Sequence, residues 1–255
     1  MKQLVSVACM LLLTIFSGSA QSVKFASDRY ISPRGDTLPY RLLVPDSDTF
    51  RRYPLVIFLH GSGERGNDNE AQLKWGALNF ATDENMVRFP AFVVAPQCPA
   101  GQSWANLDRD RNTNRMNLLP SPSKPMASLL ELIAKLKRSL RVDTNRIYIT
   151  GLSMGGFGTY DILMRVPGMF AAAVPVCGGG DVSKAASIAQ VPIWIYHGAE
   201  DPAVSPVFSY EMVQALTNAG ARPGFTMYPE TGHFSWLGAY SDPQMMVWLF
   251  RQRKQ

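Results

Sequence analysis

Residues 146–156 read RIYITGLSMGG, a pattern typical of a strand, a tight turn and the start of a helix. Its first part, 146–150, is a short β-branched and aromatic run that predicts a buried strand, and a helical pattern covers 155–165. Between them lies G-x-S-x-G, in the strand–turn–helix context that lets a serine stand clear of the backbone as a nucleophile. Gly151 and Gly155 remove side chains that would collide as the helix folds back onto the strand. We therefore predict that Ser153 is a catalytic nucleophile; the alternative is a structural glycine-rich turn.

On both sides of this stretch, apolar runs alternate with helical patterns. The strand candidates are continuous apolar runs, typical of strands buried on both faces of a parallel sheet: 54–60, 91–95, 146–150, 172–176, 192–197 and 224–228. Helical patterns cover 126–140, 155–165, 206–219 and 242–252. Gly-Asp at 35–36 separates 24–32 from 38–44 and predicts an antiparallel hairpin. The order predicts an α/β fold with a mostly parallel central sheet flanked by helices, and an irregular insertion at 106–124 that is either a solvated loop or a wall of the site.

Composition excludes other classes of protein. The chain has 255 residues, is 46% hydrophobic and carries a formal net charge of +5, which excludes a disordered chain. No repeat of solenoid or propeller length recurs. The basic clusters at 51–52 and 251–254 are short, so they predict a solvated surface and no nucleic-acid partner.

The first twenty residues, MKQLVSVACMLLLTIFSGSA, have the pattern of a secretory signal peptide. Lys2 precedes an apolar run that is too short for a comfortable membrane span, and small residues lead to a cleavage site after Ala20. We predict a signal peptide at 1–20, a single domain at 21–255, a secreted or periplasmic location and no stable membrane insertion after cleavage. The alternative is a retained N-terminal anchor. An oxidising compartment would allow Cys98 and Cys177 to pair; two buried free thiols are the alternative.

An oxyanion hole requires two backbone donors near the nucleophile. One is expected from the residue that follows it, Met154, and the other from a turn after an earlier strand. The run 54–60 continues into Gly61-Ser62-Gly63, so we predict Ser62 as the second donor. A plain glycine turn is the alternative.

A general base and an acid should follow the nucleophile along the chain. Of the three histidines, only His233 lies in a loop after the last strand candidate, whereas His60 and His197 end earlier strands. His233 is therefore the predicted base, with a surface-loop histidine as the alternative. Asp201 follows the run 192–197 and is the predicted acid; its neighbour Glu200 is the alternative.

Six motifs spread over most of the chain together resemble a known group: LHGSGERG at 59–66, APQCP at 95–99, GLSMGG at 151–156, CGGGD at 177–181, HGAED at 197–201 and TGHFSW at 231–236. The chain resembles secreted α/β-hydrolases of the carboxylesterase group, which includes feruloyl esterases, polyhydroxybutyrate depolymerase-like esterases and predicted peptidases related to the prolyl oligopeptidase catalytic domain. The resemblance implies an α/β-hydrolase fold. It assigns the triad to Ser153, Asp201 and His233, and the oxyanion amides to Ser62 and Met154.

Three further residues are candidate substrate contacts. Trp104 follows the run 91–95 at the end of the sheet that carries the catalytic loops, and Trp236 lies just past His233. Either indole could form a wall for an acyl group or a sugar ring, and Gln97 could make a polar contact; core packing is the alternative for the two indoles. The segment 182–191 is about one helix long, so no cap domain is expected.

These features predict a secreted serine carboxylic ester hydrolase that works through an acyl-enzyme. The expected substrate is a small-molecule or polysaccharide-linked ester, such as a feruloyl or acetyl ester of plant polysaccharide. A serine peptidase with the same machinery and a non-catalytic binding domain are the alternatives. The histidines are dispersed and no Cys-x-x-Cys spacing occurs, so neither a metal nor a cofactor is expected.

Overall fold

The structure is a computed structural model that describes residues 21–45, 50–110, 113 and 115–254. The predicted signal peptide at 1–20 lies outside the described residues. Within them the strands are β1 (Phe25–Ile31), β2 (Thr37–Leu43), β3 (Tyr53–Leu59), β4 (Phe92–Pro96), β5 (Leu107–Arg109), β6 (Met116–Leu118), β7 (Val142–Leu152), β8 (Ala172–Val176), β9 (Trp194–Gly198) and β10 (Gly224–Tyr228).

Helices of two kinds connect these strands. The α-helices are α1 (Asp83–Arg88), α2 (Lys124–Ser139), α3 (Met154–Arg165), α4 (Val207–Asn218), α5 (Trp236–Ser241) and α6 (Pro243–Arg251). Short 3-10 helices cover Ser62–Glu64, Ala71–Leu73, Ala77–Ala81, Val182–Ile188 and His233–Ser235. No helix among the described residues is both long and apolar enough to span a membrane.

Eight strands form one central sheet in the order β1-β2-β4-β3-β7-β8-β9-β10. The hairpin β1–β2 is antiparallel, with Phe25 opposite Leu43 and Ile31 opposite Thr37, and β2 pairs antiparallel with β4. The remaining pairs are parallel. This confirms the predicted α/β-hydrolase fold with its antiparallel N-terminal hairpin.

The central strand β3 shows why an unbroken apolar run forms a strand here. All of its residues are buried. Leu55, Ile57 and Leu59 pack into one core cluster, and Val56 and Phe58 pack into a second. Successive side chains of a strand point to opposite faces, so the two clusters lie on the two sides of the sheet. Each such side chain stabilises the fold by about 1.5–3 kcal/mol relative to an exposed one.

The helix α2 covers one face of the sheet. Ser123 caps its start by accepting a hydrogen bond from the N–H of Met126. Its apolar stripe includes the buried Leu129, Ile133 and Leu136. This stripe repeats every three or four residues, as a helix with one buried face requires.

Two connections bear on the site. The segment 106–124, predicted as an irregular insertion, contains the antiparallel hairpin β5–β6, with Leu107 opposite Leu118. Between β8 and β9 the described chain forms only the 3-10 helix Val182–Ile188, so it carries no cap domain there. Cys98 and Cys177 are free and buried, and burial raises the pKa of each thiol to about 12. The structure therefore has the two thiols unpaired.

Candidate active site

Ser153 stands on a sharp turn between β7 and α3. Its backbone has φ 51° and ψ −117°, a left-handed conformation that non-glycine residues rarely adopt. The Ser153 N–H donates to the carbonyl of Val176 on the neighbouring strand at 2.9 Å, which fixes the turn against the sheet. A strained backbone of this kind persists only where its surroundings enforce it, and it projects the hydroxyl away from the strand.

The glycines around Ser153 are needed because the helix approaches the sheet closely. A Cβ atom at Gly155 would lie 2.0 Å from the carbonyl oxygen of Leu59. A Cβ atom at Gly151 would lie 2.5 Å from the carbonyl oxygen of Gly155. These neighbours are backbone atoms that cannot move aside, so the turn excludes any side chain at both positions.

A chain of hydrogen bonds joins the three predicted catalytic side chains. His233 Nε2 lies 2.9 Å from Ser153 Oγ, and His233 Nδ1 lies 2.7 Å from Asp201 Oδ2. A carboxylate only accepts, so Nδ1 carries the imidazole proton and Nε2 is free to take the serine proton. The side chain of Asp201 is fully buried, whereas the alternative acid Glu200 is exposed. These contacts fit a Ser–His–Asp triad.

The second carboxylate oxygen of Asp201 fixes the orientation of the group. Asp201 Oδ1 accepts hydrogen bonds from the N–H groups of Ala203 and Val204, both at 2.9 Å. Both oxygens of the Asp201 carboxylate therefore accept hydrogen bonds, and the group cannot rotate without losing some of them.

His197, which sequence reasoning left without a role, supports the same loop. Its Nε2 lies 2.9 Å from the carbonyl oxygen of Val204 and 3.3 Å from Asp201 Oδ2, and its Nδ1 lies 2.7 Å from Ser209 Oγ. A carbonyl oxygen only accepts, so Nε2 carries the proton and Nδ1 accepts from the serine hydroxyl. Burial lowers the pKa of His197, so the ring is held neutral beside Asp201. The motif HGAED at 197–201 holds both His197 and Asp201, so it was a sequence signal from which this contact could have been predicted.

His60 has a structural role beneath the turn at 61–63. Its Nε2 accepts the N–H of Cys98 at 2.9 Å, so the proton resides on Nδ1 and is donated to the carbonyl oxygen of Gly61 at 2.6 Å. Burial lowers the pKa of His60 to about 4. The ring therefore remains neutral and holds the start of the turn in place.

Ser62 and Met154 lie beside Ser153 at the edge of one cavity. Met154 is the first residue of α3, and Ser62 is the first residue of a 3-10 helix. The N–H groups of a first helical turn have no acceptor within the helix, so they are available to an oxygen atom in the cavity. Their placement is compatible with the predicted oxyanion hole.

The cavity above Ser153 has a volume of about 610 Å³. Its lining includes apolar side chains that the sequence prediction did not single out: Leu107, Met116, Phe157 and Val204. Two of these belong to the hairpin β5–β6, so the insertion is a wall of the site, and Phe157 lies on the first turn of α3. Phe157 follows Ser153 by four residues on the predicted helix, and this spacing could have identified it as a residue of the cavity wall. A short polar hairpin has no comparable sequence signal.

Two of the three predicted substrate contacts are not brought to the cavity. Trp104 is fully buried and donates through Nε1 to the carbonyl oxygen of His60 at 3.2 Å. Gln97 is also fully buried, and its side chain bonds to the N–H of Asn69 and the carbonyl oxygen of Glu64. Both predictions are therefore corrected, because these side chains hold the loops below the site and have no surface to offer a ligand.

Trp236 lies next to the triad rather than in the cavity wall. It is 5% exposed, and its ring meets the imidazole of His233 edge-on at a centroid distance of 5.0 Å. Its other aromatic neighbours are Trp75 and Phe234. The predicted role of Trp236 is therefore corrected: it supports the His233 loop and does not line the substrate cavity.

Cys177, Asp201 and His233 bring three potential metal ligand atoms within 4.8 Å of one another. Both ring nitrogens of His233 are already engaged by Ser153 and Asp201. The buried Cys177 thiol, with its raised pKa, resists the ionisation that a metal ligand requires. These contacts favour an acid–base triad over a metal site.

Comparison with known proteins agrees with this geometry. A family model described as Phospholipase/Carboxylesterase matches residues 44–242. The crystal structure of a thermostable esterase is similar: its sequence is 41% identical and its TM-score is 0.85, and the match covers 92% of this chain and 64% of that chain.

Two curated relatives are more distant. The bifunctional acetylxylan esterase/xylanase XynS20E of Neocallimastix patriciarum is 28% identical over 164 residues, which are 64% of this chain and 21% of that protein. Poly(3-hydroxyalkanoate) depolymerase C of Paucimonas lemoignei is 27% identical over 195 residues, and the match covers 65% of this chain and 44% of that protein. The chain thus spans less than half the length of these relatives. Since the family model covers most of the sequence and the fold agrees, the chain belongs to the Phospholipase/Carboxylesterase family of α/β-hydrolases.

Proposed function

We propose that this protein is a secreted carboxylic ester hydrolase that acts on feruloyl or acetyl esters of plant polysaccharide through an acyl-enzyme on Ser153. The single observation that carries the proposal is the continuous hydrogen-bonded line from Ser153 through His233 to Asp201, at the floor of an open cavity. Membership of the Phospholipase/Carboxylesterase family supports ester hydrolysis as the class of reaction. The N-terminal sequence pattern supports export, and that segment lies outside the described residues.

Acylation begins when Ser153 Oγ attacks the carbonyl carbon of the ester. The Oγ–H proton passes to His233 Nε2, and Asp201 stabilises the imidazolium that results. The carbonyl oxygen becomes an oxyanion and accepts hydrogen bonds from the N–H groups of Ser62 and Met154. The tetrahedral intermediate then collapses: its bond to the alcohol oxygen breaks, and His233 returns the proton to the leaving alkoxide.

Deacylation repeats these steps with water as the nucleophile. His233 takes one proton from the water as its oxygen attacks the acyl carbon of the ester on Ser153. The same two N–H groups stabilise the second oxyanion. The bond to Ser153 Oγ breaks, the serine regains its proton from His233, and the carboxylic acid leaves.

The shape of the cavity supports the substrate class. No cap domain covers it within the described chain, so an ester attached to a polymer can approach from solvent. Phe157 and Met116 offer apolar surface for an aromatic acyl group, and a volume of about 610 Å³ exceeds what an acetyl group fills. One relative is named an acetylxylan esterase and another a poly(3-hydroxyalkanoate) depolymerase, and both names support an ester carried on a polymer.

A substrate panel tests the proposal. The wild-type protein is compared with Ser153→Ala on methyl ferulate, 4-nitrophenyl acetate, acetylxylan and a peptide anilide. The matched control is Ser103→Ala, which removes a different hydroxyl from the wall of the same cavity. We expect ester hydrolysis by the wild type and the control, and its loss in Ser153→Ala. Peptide anilide cleavage as efficient as ester cleavage would favour a serine peptidase instead, and an unchanged rate in Ser153→Ala would remove the proposed mechanism.

A further inference from the structure

Five arginines from four separate segments of the chain line one cavity of about 470 Å³, which we call the basic pocket: Arg51, Arg52, Arg88, Arg146 and Arg251. The short basic clusters at 51–52 and 251–254 predict a solvated surface. The structure leaves Arg51, Arg52 and Arg251 exposed and also brings these residues of both clusters to the same recess. It lies where β3 and β4 begin, at the edge of the sheet opposite Ser153.

The charge of the basic pocket is only partly balanced by carboxylates. Glu84 pairs with Arg88 at 2.7 Å. Asp143 pairs with Arg146 at 2.7 Å and lies 3.6 Å from Arg253. Within the described part of the chain, no ion pair involves the other three lining arginines: Arg51, Arg52 and Arg251. An anion that enters the pocket therefore meets guanidinium groups that have no competing carboxylate among these residues.

Aromatic surface lies among the arginines. Phe89 and Phe250 stack at a centroid distance of 5.1 Å with an interplanar angle of 18°, and both rings are half-buried. The guanidinium of Arg88 lies 5.2 Å from the Phe89 ring centroid, and that of Arg51 lies 5.8 Å from the Tyr53 ring centroid. Such contacts hold arginine side chains in place over an apolar ring. The pocket thus combines positive charge with an apolar ring surface.

We propose that the basic pocket binds the carboxylate-bearing sugar units of an acidic polysaccharide. A guanidinium group matches a carboxylate with two parallel hydrogen bonds. The C–H face of a sugar ring suits the half-buried aromatic surface. The recessed arrangement fits single sugar acids better than a flat lipid surface.

This inference rests on the proposed function, because it assigns the polymer that carries the ester. The strand β3 runs from Tyr53 in the basic pocket towards His60 at the catalytic edge. Seven residues at about 3.3 Å each separate the two edges by roughly 23 Å. A polymer held in the pocket therefore leaves the catalytic cavity open and raises the local concentration of its esters.

Binding is tested with polygalacturonate, which carries no ester, by isothermal titration at near-physiological salt so that diffuse attraction is screened. One variant removes the three arginines without an ion pair: Arg51→Gln, Arg52→Gln and Arg251→Gln. The matched control removes three exposed cations from elsewhere on the surface: Arg138→Gln, Lys184→Gln and Arg222→Gln. Arg52 donates to the carbonyl oxygen of Val142, so a double variant of Arg51 and Arg251 keeps that bond if the triple variant unfolds early.

We expect the wild type and the control to bind polygalacturonate, and the pocket variants to bind at least about tenfold more weakly, the double variant with an unchanged thermal midpoint. No binding by the wild type, or equal losses in the control and the pocket variants, would overturn the proposal. Binding to anionic phospholipid vesicles or to DNA in preference to polygalacturonate would overturn it as well. Hydrolysis of 4-nitrophenyl acetate is measured in parallel on the wild type; its absence would contradict the proposed function alone.

Discussion

Replacing Asp201 with asparagine tests the triad through the position of one proton. In the structure Oδ1 accepts from two backbone N–H groups, and Oδ2 accepts from Nδ1 of His233. The asparagine side chain has a single oxygen, and the N–H groups of Ala203 and Val204 both need it as their acceptor. The amide NH₂ group then faces His233, where the carboxylate oxygen was.

This exchange reverses the imidazole tautomer. An NH₂ group can only donate, so Nδ1 of His233 must become an acceptor and the proton moves to Nε2. Nε2 then donates towards Ser153 Oγ and can no longer take its proton. The nearby His197 Nε2–H, 3.3 Å from the replaced oxygen, also loses an acceptor.

The expected loss in kcat is about 10⁴-fold, which corresponds to about 5.5 kcal/mol of transition-state stabilisation. Hydrolysis of 4-nitrophenyl acetate measures kcat and KM, and we expect KM to change little because Asp201 does not line the cavity. Glu200→Gln is the matched control at the exposed neighbouring position, and it should stay within about twofold of wild type. Retention of more than about a tenth of wild-type kcat by Asp201→Asn, or a large loss in Glu200→Gln, would refute this assignment.

Three further outcomes follow from the packing. Below pH 6.5 the unfolded chain protonates His60, but the folded chain does so only near pH 4. His60 should therefore contribute about 3 kcal/mol to the decrease in unfolding free energy across that interval, measured by urea denaturation. A His60→Gln variant with the same decrease as the wild type would contradict this. Gly155→Ala should prevent stable folding, because its Cβ atom would lie 2.0 Å from the carbonyl oxygen of Leu59. The control is Gly63→Ala, whose Cβ atom enters open space. Equal thermal midpoints for the two variants would show that the contact at Gly155 is unimportant. Phe157→Ala should lower kcat/KM about tenfold for methyl ferulate and much less for 4-nitrophenyl acetate, and equal losses would remove Phe157 from the acyl pocket.

The parts of the fold that could be predicted are those in which local pattern and burial agree. The continuous apolar run in β3 contributes to both cores, so its pattern can be read without the rest of the chain. The turn at Ser153 was predictable because its glycines satisfy a close backbone contact that few other sequences can form. The order of acid and base along the chain then led to the histidine that hydrogen-bonds to the serine.

The parts that could not be predicted depend on the direction of side chains. Trp104 follows a strand at the catalytic end of the sheet, but its ring turns inward and packs at a centroid distance of 5.3 Å from His60. Chain position places a residue near the site and says nothing of which side it faces. The hairpin β5–β6 has only three residues in each strand and little apolar pattern, so pairing rather than local preference determines it. The basic pocket likewise depends on four segments that only the fold brings together.

We propose that ester hydrolysis proceeds through an acyl-enzyme on Ser153. The most direct test of this proposal is the mass of the protein, with peptide mapping, after rapid acid quenching during turnover of 4-nitrophenyl acetate. In the wild type we expect an acetyl group on the peptide that contains Ser153 and a matching burst of 4-nitrophenol, and we expect neither in Ser153→Ala. An acetyl group confined to another residue during productive turnover, or hydrolysis by Ser153→Ala at the wild-type rate, would contradict it.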